Sequence, residues 1–158
     1  MAIMPFIGAT RAEAEAKRDL HDSLVDPRVG LSTLAAHANA DFGDLPLDAT
    51  VNEIAVSGSQ GNLAALRSIA GDGAMTIREA GRIYGSGVMC PRAVGTPDEV
   101  AEQLITIVES GAADGFVISP AFLPDTFDDF VRDVVPILKA RGFLPPKPSQ
   151  GTLRDRLG

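Results

Sequence analysis

The sequence predicts an α/β fold in which short parallel strands are covered by helices. Two segments, residues 3–7 and 116–119, are apolar on both faces, as the strands of a covered parallel sheet are. Each segment is followed by a helical pattern, so the chain alternates between strands and helices. Only these two strands are evident, and two parallel strands do not make a stable sheet. The sequence therefore predicts part of a larger α/β fold.

The N-terminal segment predicts one β/α unit. Residues 3–7 form its strand, although Pro5 weakens that assignment because proline cannot donate to a sheet. Thr10 is the expected N-cap of the following helix, and Glu13 stands at the reciprocal position of a capping box. The helix is expected to end near Asp26, because a proline at residue 27 disfavours helical geometry in the residue before it.

The segment from 27 to 90 is predicted to be a helical insertion. Helical patterns occupy residues 30–38, 59–70 and 75–84, with Leu63, Leu66 and Ile69 facing inward in the second of them. Residues 41–50, rich in Asp, Gly and Pro, are expected to form a loop. Residues 85–87 invite interpretation as a phosphate-binding loop, but the strand and full glycine pattern of such a loop are missing. A helix stop is the better explanation.

The clearest local signal is the start of a helix at residues 95–99. Thr96 is the expected N-cap, Pro97 fills the first helical position, and Glu99 completes a capping box. The apolar face of this helix is predicted to consist of Val100, Leu104, Ile107 and Val108.

A long helix is predicted to close the domain, which we place at residues 1–144. Thr126 is its expected cap, and Pro136 is expected to kink it. Its apolar period comprises Phe127, Phe130, Val131, Val134, Val135 and Leu138. Residues 145–158 are expected to form an extended tail over the surface.

Composition excludes several classes of partner. The formal charge is −7, and 14 basic residues are scattered among 21 acidic ones without a basic run, which argues against nucleic acid. No apolar stretch reaches the roughly 20 residues of a membrane helix. A single cysteine, Cys90, cannot form an internal disulfide, which fits the cytoplasm. His21 and His37 lack partners at metal-ligand spacing, so no metal site is predicted.

Several segments, in order and spacing, resemble flavin-dependent monooxygenases of the luciferase-like superfamily, related to nitrilotriacetate, EDTA and dibenzothiophene-sulfone monooxygenases. The resemblance extends over nearly the whole chain. The segments that carry it are residues 3–10 (IMPFIGAT), 12–14 (AEA), 26–31 (DPRVGL), 76–79 (TIRE), 94–101 (VGTPDEVA), 111–116 (GAADGF), 130–138 (FVRDVVPIL) and 152–155 (TLRD).

The resemblance implies a (β/α)₈ TIM barrel, of which this chain would form the C-terminal part, with about two strands and the helical insertion. It also implies that reduced FMN, supplied by a separate reductase, reacts with oxygen to oxygenate a small organic substrate. The contacts to the flavin come mostly from earlier strands in this family, so no cofactor residue is assigned here. Relatives often carry a histidine just before the segment at 95–97, and residues 88–92 contain none.

The active sites of such barrels lie at the carboxyl ends of the strands. Ser119, Pro120 and Phe122 follow the second predicted strand and are the candidates for lining a substrate pocket. Packing of Phe122 under its own loop is at least as good an interpretation, and Ser119 has no histidine partner that would make it a nucleophile.

Two functional hypotheses remain open at this point. The chain is a segment of a flavin-dependent monooxygenase, whose activity in isolation is doubtful because most of the cofactor site is missing. Alternatively, it is a non-catalytic remnant or interaction module that self-associates or pairs with a chain supplying the rest of the barrel. The short length is compatible with an authentic short gene, a misplaced start codon or frameshift, or a split enzyme.

Overall fold

The computed structural model describes residues 1–39, 41–42, 45–51, 60–70, 75–144 and 152. The chain divides into two compact units, each with its own hydrophobic core. Unit 1 comprises Met1–Arg18 and Pro91–Gly158, and unit 2 comprises Asp19–Cys90. The extended tail predicted for residues 145–158 lies, apart from Thr152, outside the described residues.

Unit 1 contains a parallel sheet with the strand order β2-β1-β3. The strands are β1 (Ala2–Ile7), β2 (Arg92–Gly95) and β3 (Val117–Ile118). The sequence predicted β1 and β3 but missed β2. This strand is only four residues long, and its partner β1 lies far away in the sequence.

Pro5 explains why β3 is short. Val117 and Ser119 donate their backbone N–H groups to Met1 O and Ile3 O at 2.8 and 2.9 Å. The next bond of this parallel ladder would be donated by residue 5, and proline has no N–H. The pairing of β1 with β3 therefore stops where the proline begins, whereas the pairing with β2 continues to Ile7.

Helical segments of unit 1 pack against the sheet. They are α5 (Pro97–Glu109), α6 (Asp125–Asp129), a π-helical turn (Phe130–Val134) and α7 (Val135–Ala140). Helix α1 (Arg11–Ser23) begins in unit 1 and ends in unit 2. The core combines Ile3, Ile7 and Ala93 of the sheet with Val100, Ala101, Leu104, Ile105, Phe130, Val134 and Leu138 of the helices. Burial of large side chains such as Leu104 supplies about 1.5–3 kcal/mol each.

The predicted C-terminal helix needs two corrections. Thr126 is not its cap: the helix begins after Pro124, and the Thr126 hydroxyl accepts the N–H of Phe122 at 3.2 Å. Phe127 and Val131 are exposed, because the π-helical turn changes which side chains face the core. Pro136, at which a kink was expected, lies in the first turn of α7, directly after this π-helical turn.

Unit 2 is helical. Its helices are α2 (Pro27–Ala38), α3 (Gln60–Ala70) and α4 (Ile77–Gly85), and α1 ends at Ser23. The start predicted at residue 30 was late, because Asp26 is the N-cap and Pro27 occupies the first turn of α2. Leu66 is buried as expected, but Ile69 is 56% exposed, and the surroundings of Leu63 lie outside the described residues.

Helices α2 and α4 touch at their glycines. A Cβ added to Gly30 would come within 3.0 Å of the Gly81 carbonyl oxygen and of the Gly85 nitrogen. A Cβ on Gly81 would collide in turn with the Pro27 carbonyl oxygen of α2. The glycines therefore let the two backbones approach each other directly at this point.

Capping boxes fix the starts of α4 and α5. At α5, Thr96 Oγ1 accepts the N–H of Glu99 at 3.4 Å, and the Glu99 carboxylate accepts the N–H of Thr96 at 2.9 Å, as predicted. Thr76 and Glu79 make the same pair of bonds at α4. At α1, Thr10 caps Glu13 as predicted, but the Glu13 carboxylate accepts the N–H of Ala9 instead of the N–H of Thr10.

These boxes predict acid sensitivity. The N–H of Thr76 lowers the pKa of Glu79, and the N–H of Thr96 lowers that of Glu99. A carboxyl whose pKa is lower in the folded state stabilises the fold above its unfolded pKa, and this contribution is lost as the pH falls through the folded-state pKa. We expect the free energy of unfolding to fall below about pH 4.5, and to fall less steeply in the Glu79→Gln/Glu99→Gln variant.

Urea unfolding from pH 3 to pH 7, about the range over which carboxyls titrate, would measure this difference. Glu109→Gln, at the other end of α5, is the matched control and should leave the steepness unchanged. Equal pH dependence in all three proteins would show that the boxes do not shift the titration of these carboxyls.

Candidate functional site

The carboxyl end of β3 does not lie beside the carboxyl ends of β1 and β2. Gly8 donates its N–H to Gly95 O at 3.2 Å, so the ends of β1 and β2 lie side by side. Strand β3 ends where Ile118 pairs with Ile3, near the start of β1. The chain therefore leaves the sheet after Ser119, beside the first half of β1 and not beside its carboxyl end.

Ser119, Pro120 and Phe122, the predicted pocket residues, lie in this segment and are half-buried. Ser119 donates its N–H to the Ile3 carbonyl oxygen. Phe122 is held in a turn, since its carbonyl oxygen accepts the N–H of Thr126 at 3.0 Å. The three residues directly follow β3 in the chain, and their proposed role in a substrate pocket stays a prediction.

A charged cluster occupies the carboxyl end of β1. The ammonium group of Lys17 donates to the Ile7 carbonyl oxygen at 2.7 Å and to Asp129 Oδ2 at 3.3 Å, and it lies 3.6 Å from Glu13 Oε1. Asp129 also accepts from Arg132 at 2.7 Å. Because β3 ends early, Lys17 takes the carbonyl that a longer β3 would have paired.

The sequence analysis did not single out Lys17. The spacing of Glu13 and Lys17, one helical turn apart, was the available signal, because such pairs form salt bridges on a helix. Nothing in the local sequence indicates the bond to Ile7, which depends on the early end of β3.

Removing the Lys17 ammonium should destabilise unit 1. We expect Lys17→Met to lower the free energy of unfolding by about 1–2 kcal/mol, because the Ile7 carbonyl loses its donor while the aliphatic stem is kept. Urea unfolding measures the difference. Lys139→Met, on α7, is the control and should change stability by less than about 0.5 kcal/mol; equal effects of the two substitutions would rule out a special role for Lys17.

These strand ends do not by themselves fit a bound flavin nucleotide. A phosphate needs free backbone N–H groups or unpaired cations. The N–H groups of Gly8, Ala9 and Thr96 are already taken, by Gly95 and by the two capping glutamates. Arg11 forms salt bridges with Glu15 and Glu99. The ammonium group of Lys17 is bonded to Ile7 and Asp129.

Each unit has a cavity among its described residues. The larger, of about 580 Å³, is an open groove along the outer edge of β2 and the flank of α5, where Arg92, Gln103 and Ile107 line it. The smaller, of about 290 Å³, lies in unit 2 between α2 and the following loop, with Arg28 and Phe42 among its lining residues. Neither cavity is lined by Ser119, Pro120 or Phe122.

Both histidines belong to unit 2. His37 Nδ1 lies 2.6 Å from the hydroxyl of Tyr84, a buried side chain whose pKa is raised by burial. His21 Nδ1 lies 3.2 Å from Asp22 Oδ1. Among the residues that the structure describes, no three His, Cys, Asp or Glu side chains are grouped closely enough to hold a metal ion. No helix in the same part of the chain is long and apolar enough to span a membrane.

The chain is similar over its whole length to several curated monooxygenases. Dibenzothiophene-sulfone monooxygenase from Rhodococcus erythropolis is 40% identical over 162 residues, which cover 99% of this chain and 36% of that enzyme. Nitrilotriacetate monooxygenase component A from Aminobacter aminovorans is 34% identical over 160 residues, covering 99% of this chain and 35% of that protein. This chain thus spans about one third of the length of these relatives. No family model matches it.

Solved structures agree with the sequence matches. The crystal structure of DmoA from Hyphomicrobium sulfonivorans superposes with a TM-score of 0.82 at 28% identity, covering 99% of this chain and 33% of that one. EDTA monooxygenase from Chelativorans sp. BNC1 superposes with a TM-score of 0.70 at 31% identity, covering 99% and 34%. Similarity therefore extends from sequence to fold, and it is confined to one third of each relative.

Proposed function

Because the chain belongs to the luciferase-like monooxygenases and spans about one third of their length, we propose that it is the C-terminal part of a flavin-dependent oxygenase. In this proposal the complete enzyme uses reduced FMN and O₂ to oxygenate a small organic molecule, and a separate reductase supplies the flavin. The observation that carries the proposal is the 40% identity to dibenzothiophene-sulfone monooxygenase over nearly the whole of this chain.

We propose that the isolated chain does not catalyse the oxygenation by itself. Over the part of the chain that the structure describes, its sheet has three strands, and the N–H groups of Ala9 and Thr96 at the strand ends are bonded within the chain. Flavin chemistry needs a pocket that orients the ring system and excludes water. That pocket would come from the rest of the barrel, with the helical segment from 27 to 90 as an insertion beside it. Ser119, Pro120 and Phe122 stay the candidates for contacting substrate.

A chimeric enzyme tests the positive part of the proposal. The matching third of dibenzothiophene-sulfone monooxygenase is replaced by this chain, and the product is assayed with reductase, NADH and dibenzothiophene sulfone. We expect the chimera to bind FMN and to oxygenate the sulfone. The relative cut at the same point, without replacement, is the control and should do neither. A folded chimera that binds no FMN would refute the proposal.

The open edge of β3 favours a second candidate function, an interaction module that pairs with another chain. Val117 of this strand is 68% exposed, and no other strand in the described part of the chain pairs with the outer side of β3. An unpaired strand edge is a template for strand addition. Sedimentation of the purified chain without flavin distinguishes the candidates, because a monomer at every concentration would exclude self-association.

A further inference from the structure

Three successive residues after α4 have a positive φ. The angle is 136° at Gly87, 53° at Val88 and 61° at Met89. Glycine adopts such angles readily, but an L-residue in the left-handed region is disfavoured by roughly five- to thirtyfold. For a β-branched residue such as Val88 this conformation is a clear outlier. Two strained residues therefore stand side by side, at positions where glycine would remove the strain.

Backbone hydrogen bonds define this conformation. Val88 donates its N–H to Tyr84 O at 2.8 Å, and Cys90 donates its N–H to Gly87 O at 2.9 Å. Both bonds join backbone atoms, so they would form equally well with glycine at positions 88 and 89. They account for the path of the chain, but not for the two side chains that make this path costly.

The two strained side chains have different surroundings. Met89 packs against the core of unit 2, whose buried members include Leu34 and Tyr84. Val88 is 44% exposed, so it adds strain with less burial in return. A strained backbone persists only where the surrounding structure holds it in place. Met89 is the side chain in a position to hold this segment.

We infer that residues 87–90 form a conformational switch and that Met89 is its lock. In the locked state, the one described here, Met89 lies against the core of unit 2 and residues 88 and 89 are left-handed. In the released state Met89 leaves the core, both residues take negative φ angles, and the bond from Cys90 to Gly87 opens.

Release gives up the apolar burial of Met89 but relieves the strain at two residues. The locked state is therefore favoured over the released one by less than it would be in an unstrained turn, and segments that open locally are those of low stability. The switch lies in the connection from α4 to β2, at the last residues of unit 2. It does not depend on the proposed flavin chemistry.

Replacing Val88 by glycine tests the strain. We expect Val88→Gly to lower the equilibrium constant for urea unfolding roughly threefold, because relief of strain outweighs the greater freedom of glycine in the unfolded chain. Val117→Gly is the matched control: Val117 is also an exposed valine but has no positive φ, so glycine there should raise the constant. A Val88→Gly protein no more stable than the unmodified chain would overturn the inference.

A second substitution tests the lock. In a Met89→Ala background the segment should already be released. Val88→Gly should then raise the unfolding constant instead of lowering it, because only the freedom of glycine in the unfolded chain remains. Met75→Ala is the matched control, since Met75 packs against the same core but lies before α4. In that background Val88→Gly should keep its stabilising effect.

The same effect of Val88→Gly in all three backgrounds would overturn the inference, and so would loss of its effect in both alanine variants. If the Met89→Ala protein does not fold, amide hydrogen exchange of the Val88→Gly protein decides. The bond to Gly87 O protects the Cys90 N–H in the locked state. Because glycine at position 88 favours that state, this N–H should exchange roughly threefold more slowly than in the unmodified chain.

The Val117→Gly protein is again the control and should show no slower exchange at Cys90. Unchanged or faster exchange of the Cys90 N–H in the Val88→Gly protein would overturn the inference, because the left-handed conformation would then not limit the stability of the locked state.

Discussion

Gly30→Ala is expected to lower the free energy of unfolding by about 3 kcal/mol or more, enough to leave unit 2 largely unfolded. The new Cβ would overlap the Gly81 carbonyl oxygen and would lie 2.7 Å from the Gly85 nitrogen. Both neighbours are backbone atoms inside α4, so the clash is relieved only by separating the two helices. Separation would disturb the core around Leu34 and Tyr84.

Urea unfolding followed by circular dichroism measures this effect. Gly61→Ala is the matched control, because Gly61 lies in α3 of the same unit and a Cβ there meets nothing within 4 Å. The control should stabilise the protein by about 0.5–1 kcal/mol, since alanine favours a helix over glycine. A Gly30→Ala protein as stable as the control would mean that α2 and α4 do not cross at these glycines.

Gly95→Ala is expected to lower the free energy of unfolding by about 2–3 kcal/mol. Gly95 has a φ of 150°, which L-residues rarely adopt. A Cβ there would also overlap the Glu99 carboxylate and lie 2.8 Å from Glu99 Cβ. The substitution would thus combine backbone strain with loss of the capping box at α5, which alone is worth about 1 kcal/mol.

Gly111→Ala separates the two contributions. Gly111 has a φ of 73°, and a Cβ there meets nothing within 4 Å, so only backbone strain is added. We expect a loss of about 1 kcal/mol for this control. If thermal or urea unfolding gave the same loss for both glycines, the capping box would contribute nothing at Gly95.

Local signals predicted part of the fold well. Thr96, Pro97 and Glu99 form the predicted helix start because capping depends on residues adjacent in sequence. The assignment to part of an α/β barrel is also confirmed, by matches to luciferase-like monooxygenases over 99% of the chain. The missed strand β2 depends instead on pairing with β1, a partner that a four-residue pattern cannot reveal.

Apolar periodicity predicted the faces of helices less reliably. Ile69 and Phe127 fit the expected stripes but are exposed. Periodicity shows which side chains lie on the same face of a helix, but it does not show whether another element covers that face. In the last helix, the π-helical turn also rotates the apolar face.

The surroundings of the candidate site were the hardest part to predict. The rule that barrel sites follow strand ends led to Ser119, Pro120 and Phe122 as candidates for the substrate pocket. The early end of the β1–β3 ladder at Pro5, and the bond from Lys17 to Ile7 that it makes possible, could not be predicted. Both effects come from contacts between residues distant in the sequence.

Titration of the purified chain with FMN tests most directly the claim that this chain carries only part of a flavin site. Quenching of flavin fluorescence and equilibrium dialysis would be measured without a reductase or partner. We expect no saturable binding tighter than roughly 1 mM, since that limit corresponds to about 4 kcal/mol of binding energy. Stoichiometric binding at micromolar FMN would contradict the claim.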